Sequence, residues 1–482
     1  MNKVMFNENV KDSLVKGVNL IGSAVESTFG PNANNVIIKH KGGIHITKDG
    51  ATVATYVNSN DVAEQAAIDV IKEIAVKTAK DVGDGSTTST ILAKAIVNTF
   101  KDYEENPIEL QRTLQESINE IIKYLEAHKK EISSLEDITK VATISANNDP
   151  KLGALIAEAF NKVGKYGVVN IGDSTQVEDS YEVTEGMQIE SGYISPFFIN
   201  TDNNTCELDN VYVFLSTDKL KDLKQIIPEA DKAIKNKKSL LVIAPDIDTT
   251  IQRTLLLNKG SNLESCCIKS PNTGYYRDII NNDIKNILGE IMYCDKVIIT
   301  KDTTTFIGCH SEKDNSDIIK EIESKILNGN LSEQEFQFHS KRLANYAGGI
   351  CTIKVGGFSE VEIKEKKDRV EDAICATKAA LEGGVLPGGG IALLKAYNNV
   401  GIPVPTCFKA PFETLVKNSG LQVAPIVTSD FWNGYDFKNN KHGDMYELGV
   451  IDPFLVVKTA LENAVSAASL LLTNECLIIK MD

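Results

Sequence analysis

No stretch constrains this chain more than Val82-Gly83-Asp84-Gly85-Ser86-Thr87-Thr88-Ser89-Thr90, a glycine–acid–glycine turn followed by hydroxyls. Ahead of it, Val62, Ala66, Ala67, Val70, Ile71, Ile74 and Ala75 recur at three- and four-residue spacing, one face of a helix. Behind it, Ile91, Leu92, Ala95 and Ile96 resume that period. A helix that starts directly after such a turn offers unpaired N–H groups and a positive dipole end to an anion. Asp84 supplies a hard oxygen for Mg²⁺, and Ser86, Thr87 and Thr88 supply further phosphate or metal contacts. The stretch reads as a triphosphate cradle; the alternative is an ordinary capped loop.

The surrounding motifs extend that reading. Thr28-Phe29-Gly30-Pro31, Ile46-Thr47-Lys48-Asp49-Gly50 and Gly83–Thr88 resemble, in order, the nucleotide site of group I (bacterial-type, GroEL-like) chaperonin subunits. Downstream come Thr143–Asn147, Glu185-Gly186-Met187-Gln188, Gly192-Tyr193-Ile194-Ser195-Pro196 and Lys301–Thr305. Lys364–Lys367, Arg369–Ala373, Gly388-Gly389-Gly390 and Asp452-Pro453 complete the series, so the resemblance covers nearly the whole chain.

It implies a multidomain α+β fold: a mostly helical equatorial domain, a small intermediate domain, and an α/β apical domain inserted between discontinuous halves. The implied boundaries are equatorial 1–127 and 383–482, intermediate 128–184 and 350–382, and apical 185–349. The texture agrees. Residues 8–27 and 61–130 read as helices, separated by strand-like runs at 35–38 and 43–47. From about 185 to 350, β-rich runs alternate with helices, and helix returns at 366–399 and 454–475. Gly186, Gly348-Gly349 and Gly383-Gly384 fall at the crossings and read as hinges or as plain turns.

The resemblance further implies an ATPase in which Asp49 and Asp372 are catalytic and Asp84 holds Mg²⁺. The nucleotide would contact Thr28, Phe29, Gly30, Pro31, Lys48, Asp84, Gly85, Ser86, Thr87 and Thr88. Gly389, Asp436 and Asp452 would face its adenosine, and a K⁺ ion is implied near Thr28 and Lys48. Val370, Ala373, Ile374, Thr377, Ala380 and Leu381 form an apolar stripe on a helix starting near Lys366. Asp372 projects away from that stripe, toward a cleft or solvent. There it can orient the water that attacks a γ-phosphate once the helix is brought over the site.

Client-binding candidates are Tyr193, Phe197, Phe198, Ile227, Leu256 and Leu257. Ile247, Ile251 and Leu255 already make a core stripe, so Leu256 and Leu257 add apolar surface beyond what burial needs. Departures from the family pattern are specific. Ala230 and Gln252 replace leucines, Asp436-Phe437-Lys438 replaces smaller residues, and Glu413 and Gln422 stand where an Arg and a Glu pair between rings. The apical domain and C-terminus are shortened.

The balance of 51 basic against 66 acidic residues, net −15, argues against nucleic-acid or anionic-membrane partners. The nine cysteines include no C-x-x-C pair, which fits reduced thiols, and Cys309-His310 has no second ligand pair nearby. No apolar run approaches a membrane span, and the N-terminus carries no signal-peptide core, so a cytoplasmic protein is expected, in the host-cell cytoplasm if viral.

The resulting expectation is an ATP-dependent chaperonin forming homo-oligomeric rings of seven subunits, single or double, acting on non-native proteins with or without a co-chaperonin lid. The terminal segments 3–7 and 476–481 would pair with a neighbour in the ring. One alternative is an ATP-binding holdase or structural ring without a productive cycle. A phosphotransferase is the other, and it lacks a Walker lysine after Gly83–Thr88.

Overall fold

Both ends of the chain meet in one folding unit. Residues 1–157 and 364–482 pack together, and residues 158–363 form a second unit. This computed structural model describes residues 2–480 except 7, 41–42, 104–105, 133, 147–148, 165–166, 175–176, 185, 202–203, 261–262, 310–314, 329–330, 348, 401–404, 423–427 and 475.

The first unit opens with β1 (Asn2–Phe6), α1 (Glu8–Glu26), the hairpin β2 (Val36–His40) and β3 (Gly43–Thr47), and α2 (Gly50–Tyr56). Then follow α3 (Val62–Val82), α4 (Ser86–Phe100), α5 (Pro107–His128), α6 (Leu135–Ser145) and α7 (Pro150–Val163), the last leading into the second unit. The second unit holds β4 (Val168–Asp173), β5 (Ser180–Thr184), β6 (Gly186–Ile189), β7 (Cys206–Leu215), α8 (Ile227–Lys235), β8 (Ser239–Ala244) and α9 (Thr249–Asn258). It continues with β9 (Ser265–Lys269), α10 (Tyr275–Leu288), β10 (Tyr293–Ile299), β11 (Thr304–Cys309), α11 (Ser316–Asn328), α12 (Glu333–Ala347) and β12 (Ile350–Val355). The long α13 (Glu360–Gly383) leads back to the first unit. There lie β13 (Val385–Pro387), α14 (Ile391–Asn399), α15 (Ala410–Asn418), β14 (Asn433–Asp436), β15 (Lys441–Asp444), β16 (Ile451–Pro453), α16 (Phe454–Leu472) and β17 (Cys476–Lys480).

Helix ends in the first unit have local causes. The Asp61 carboxylate caps α3 by accepting from Ala63 N and Glu64 N, and Gly83 ends it in the left-handed conformation at φ 74°. Asn106 caps α5, with Pro107 at its first position, where no N–H is needed. The core is helical: Ile21 of α1, Ile68 and Ile71 of α3, Leu92 and Ile96 of α4, Leu114 and Ile118 of α5, and Leu461 of α16 are all buried.

The second unit is built on two sheets. A six-stranded sheet runs β6-β11-β10-β7-β8-β9, parallel across β7-β8-β9 and antiparallel elsewhere. β8 is apolar on both faces, as a central parallel strand covered by helices should be. A smaller sheet places β12 between β4 (parallel) and β5 (antiparallel).

Several expectations need correction. The helix carrying Asp372 begins at Glu360, ahead of Lys366. β1 and β17 pair with each other in antiparallel register, Asn2 opposite Lys480 and Phe6 opposite Cys476, and this pairing lies within one chain. α16 is long and apolar enough to cross a membrane, contrary to the expectation that no run comes close; it is a mostly buried core helix here. Gly186 is the first residue of β6, where a Cβ would lie 2.2 Å from Phe306 O, so strand packing by itself calls for glycine there. Gly348 and His310 lie outside the described residues. Among the described residues all nine cysteines are free.

Leu461 is fully buried where α16 meets its neighbours. Leu461→Ala should cost about 2–5 kcal/mol through the cavity it leaves, read as a lower urea midpoint for the first unit. An unchanged midpoint would show that α16 repacks without loss.

Candidate functional site

Three of the sequence motifs meet at one small residue. A Cβ on Gly50, at the start of α2, would lie 2.0 Å from Thr87 Oγ1 and 3.3 Å from Thr28 Oγ1. Only glycine lets these segments close on each other. Thr28 is buried and its hydroxyl donates to Val25 O at 2.8 Å. Phe29 packs on a small apolar cluster, while Pro31 and Lys48 are exposed.

The loop before α4 is held from the other side by α13. A Cβ on Gly83 would fall 1.8 Å from Cys375 Cβ, so the helix lies directly on the loop. Gly85 caps α4 in the left-handed conformation, φ 85°, and brings no side chain to satisfy the helix end. Its own N–H donates to Asp84 Oδ1 at 2.5 Å. The first turn-to-helix bond is Ser89 N to Gly85 O. The N–H groups of Ser86, Thr87 and Thr88 therefore have no protein acceptor among the described residues, which is the arrangement an anion needs.

Carboxylates gather around this helix end. Asp49 caps α2, with Oδ1 accepting from Ala51 N at 3.1 Å and Oδ2 from Thr52 N at 2.7 Å. Asp84 and Asp372 are both reached by solvent, yet protein hems in each carboxyl, as on the wall of a cleft. Burial, then repulsion from Asp84, Asp49, Glu371 and Asp368, pushes Asp372 up to about 8. Burial raises Asp84 as well; the Gly85 N–H works against that shift and Asp49 adds to it. Asp452, set in β16 opposite Leu386 of β13, is pushed up to about 7 by burial and by Asp84.

Asp368 and Glu371 were not among the expected site residues. The signal was present, because Asp368 and Asp372 are four apart and share a helix face. Among the described residues no three His, Cys, Asp or Glu groups are placed to hold a metal alone. The donor set fits a Mg²⁺ that takes one carboxylate and completes its shell with phosphate oxygens and water.

The adenosine side is partly reassigned. Gly388 is tight against Asp452, its Cβ position 3.0 Å from Oδ1, and Gly389 takes a left-handed φ of 66°. Asp436 is buried, and its carboxylate is spent on Lys438 N (2.8 Å), Asn439 N (3.2 Å) and Asn439 Nδ2 (2.6 Å). Both of its oxygens thus hold the turn that follows. Phe437 turns inward against Phe412 and Tyr435, so the enlarged residue fills the small cluster and leaves Lys438 at the surface. Thr143 and Ile144 line a separate open cavity of about 490 Å³ with Leu135, Thr139, Leu448 and Gly449.

In the second unit the client candidates divide. Phe197 is 80% exposed, Leu257 84% and Ile227 49%. Phe198, adjacent to Phe197, is fully buried and belongs to the core, which corrects its assignment. Tyr193 and Leu256 are half-buried against the same core. Phe197, Leu256 and Leu257 line one cavity with Arg253 and Lys259; Ile227 does not. Ile247, Ile251 and Leu255 form the buried stripe expected of them. Glu413 has Lys409 beside it at 3.5 Å, so the negative charge assigned to it is matched within the subunit.

Residues 21–401 match the model of the TCP-1/cpn60 chaperonin family. The chain is 36% identical to the mitochondrial heat shock protein 60 of Candida albicans, over 99% of this chain and 92% of that protein. Its fold is similar to that of the chaperonin gp146 from the bacteriophage EL 2 (Pseudomonas aeruginosa), crystallised in the presence of ATP-BeFx. One crystal form gives a TM-score of 0.77 at 23% identity and another 0.72 at 24%, each covering 99% of both chains.

The crowding around Asp372 predicts a pH dependence. Its carboxyl titrates near 8 in the folded chain, against about 4 when unfolded, so folding holds the proton more tightly. Stability from this group is intact below about pH 4 and is lost as pH rises toward about 8. Asp372→Asn should melt progressively higher than the parent over that range in metal-free, nucleotide-free buffer, and coincide with it near the acid end. Parallel melting curves at all pH values would contradict the crowding.

Proposed function

Because the chain belongs to the TCP-1/cpn60 chaperonin family, we propose that it hydrolyses ATP at the α4 end of its first unit and holds non-native proteins on the Phe197–Leu257 surface of its second. It is an ATP-dependent chaperonin that acts in protein folding. The observation that carries the ATPase reading is the uncapped start of α4, with Gly50 and Thr28 packed against Thr87.

In this reading the N–H groups and hydroxyls of Ser86, Thr87 and Thr88 hold the phosphates. Asp84 would hold Mg²⁺, which neutralises phosphate charge when bound. Asp372, on the face of α13 that meets the loop before α4, would orient, or accept a proton from, the attacking water once a bound cation offsets the neighbouring acids that push it up to about 8. Asp49 has both oxygens engaged by backbone N–H groups, so it contributes charge and orientation more readily than proton transfer. Backbone carbonyls near Thr28 and Lys48 would hold K⁺, and Asp452 with Gly389 would face the ribose and base. Work of this kind is mainly positioning and charge neutralisation.

The equatorial, intermediate and apical division of the chain, and assembly into seven-membered rings with or without a lid, belong to the same proposal. So does a cytoplasmic location.

Asp372→Ala should retain nucleotide binding and lower phosphate release by a factor of about 10² or more, the usual contribution of a positioned acid–base group. Asp84→Ala should instead lose Mg²⁺-dependent binding. Weakened binding with normal turnover per bound ATP in Asp372→Ala would remove that residue from the catalytic role. Phosphate release absent from the parent protein would favour the holdase.

Leu257→Ser should sharply reduce capture of a denatured client while leaving the circular dichroism unchanged, because the side chain is almost wholly in water. Undiminished capture would move the client surface elsewhere. Leu256 is excluded from this test, since it packs on the core.

A further inference from the structure

Lys259 has spent its charge on the backbone. Its Nζ donates to three successive carbonyl oxygens, those of Phe197 at 3.1 Å, Phe198 at 3.0 Å and Ile199 at 2.7 Å. An ammonium has three N–H donors, and these acceptors use them all. The clamp ties the backbone of the Pro196–Phe198 turn to the end of α9, where Phe197 joins Leu256 and Leu257 in lining an open cavity of about 440 Å³.

Arg253 is the other cation of that lining, and it is not spent. It is exposed on α9, and among the described residues it makes no ion pair or hydrogen bond. Among the described residues no acid lines the cavity. The surface thus offers apolar area beside one guanidinium whose planar fork matches a carboxylate. In a chain of net charge −15 this is a local exception, effective only at contact range in physiological salt.

Resting on the reading of this patch as the client surface, we infer that it prefers apolar peptide segments that carry a carboxylate. The acid meets Arg253 while the apolar side chains lie against Phe197, Leu256 and Leu257. The preference is one of specificity, superimposed on apolar burial that supplies most of the affinity.

The test uses fluorescein-labelled peptides of one extended apolar sequence, with Asp in place of Asn at each position in turn. They are titrated with the full-length protein and followed by anisotropy. The best Asp peptide should bind on the order of two- to five-fold tighter than its Asn partner at low salt, the scale of an exposed ion pair. Added salt should erase the difference. In Arg253→Gln the Asp and Asn peptides should bind with equal affinity, and an unchanged circular dichroism spectrum reports that the variant is folded. Equal affinities at every position, or a preference that survives in Arg253→Gln, would overturn the inference and leave the client surface in place. Binding of neither peptide, or binding that ignores Leu257→Ser, would overturn both.

Discussion

Like charges are held together around the start of α4, and the first unit is organised to keep them there. Burial first, and then repulsion among Asp49, Asp84, Asp368, Glu371 and Asp372, raises the proton affinities of Asp84, Asp368, Glu371, Asp372 and Asp452. Left to themselves these groups would spread apart. What prevents it is close packing of backbone on neighbouring elements: Gly83 under Cys375, Gly50 against Thr87, and Gly85 against Val456, whose Cγ1 lies 2.9 Å from where a Cβ would stand. Each contact excludes any larger residue. The repulsion is therefore stored by sterics, and it is relieved by any cation or proton that enters. A site that binds a metal–phosphate complex gains from that arrangement, because the charge it must neutralise is already in position.

This explains why the glycine-rich, acidic start of α4 was legible in the sequence. Glycines at Gly50, Gly83 and Gly85, acids at Asp49 and Asp84, and hydroxyls at Ser86–Thr88 are each the residue type that local geometry demands. A change at any of them would show as a steric or electrostatic conflict. Asp372 was legible through its angle from the apolar stripe of α13, and the same reasoning extended by one turn reaches Asp368. Sequence could not say that α13 already lies on the loop, because that contact is between Gly83 and Cys375 and neither residue advertises its partner.

Elsewhere the misses share one physical origin: side-chain direction in short, irregular segments. Phe197 and Phe198 are chemically identical and adjacent, and a 3-10 turn sends one into water and the other into the core. No periodicity exists over three residues to distinguish them. Asp436 was expected to face the adenosine on the family resemblance alone, and in the structure its carboxylate accepts from backbone N–H groups two and three residues ahead. The antiparallel register of β1 with β17 joins residues at opposite ends of the sequence, and apolar character alone does not choose between a partner in the same chain and one in another.

Lys259 illustrates what only coordinates supply. In sequence it is one lysine in a solvated stretch after α9, and the ordinary reading of such a residue is an exposed charge. In the structure its ammonium ends a run of carbonyls that would otherwise point at water beside an apolar patch. An exposed aromatic such as Phe197 loses side-chain and backbone freedom whenever it binds, and that loss subtracts from affinity. A clamp that removes the freedom beforehand shifts the cost from binding to folding. The same clamp leaves Arg253 as the cation with unmet capacity, so rigidity and charge selectivity at this surface come from two neighbouring side chains with separate duties.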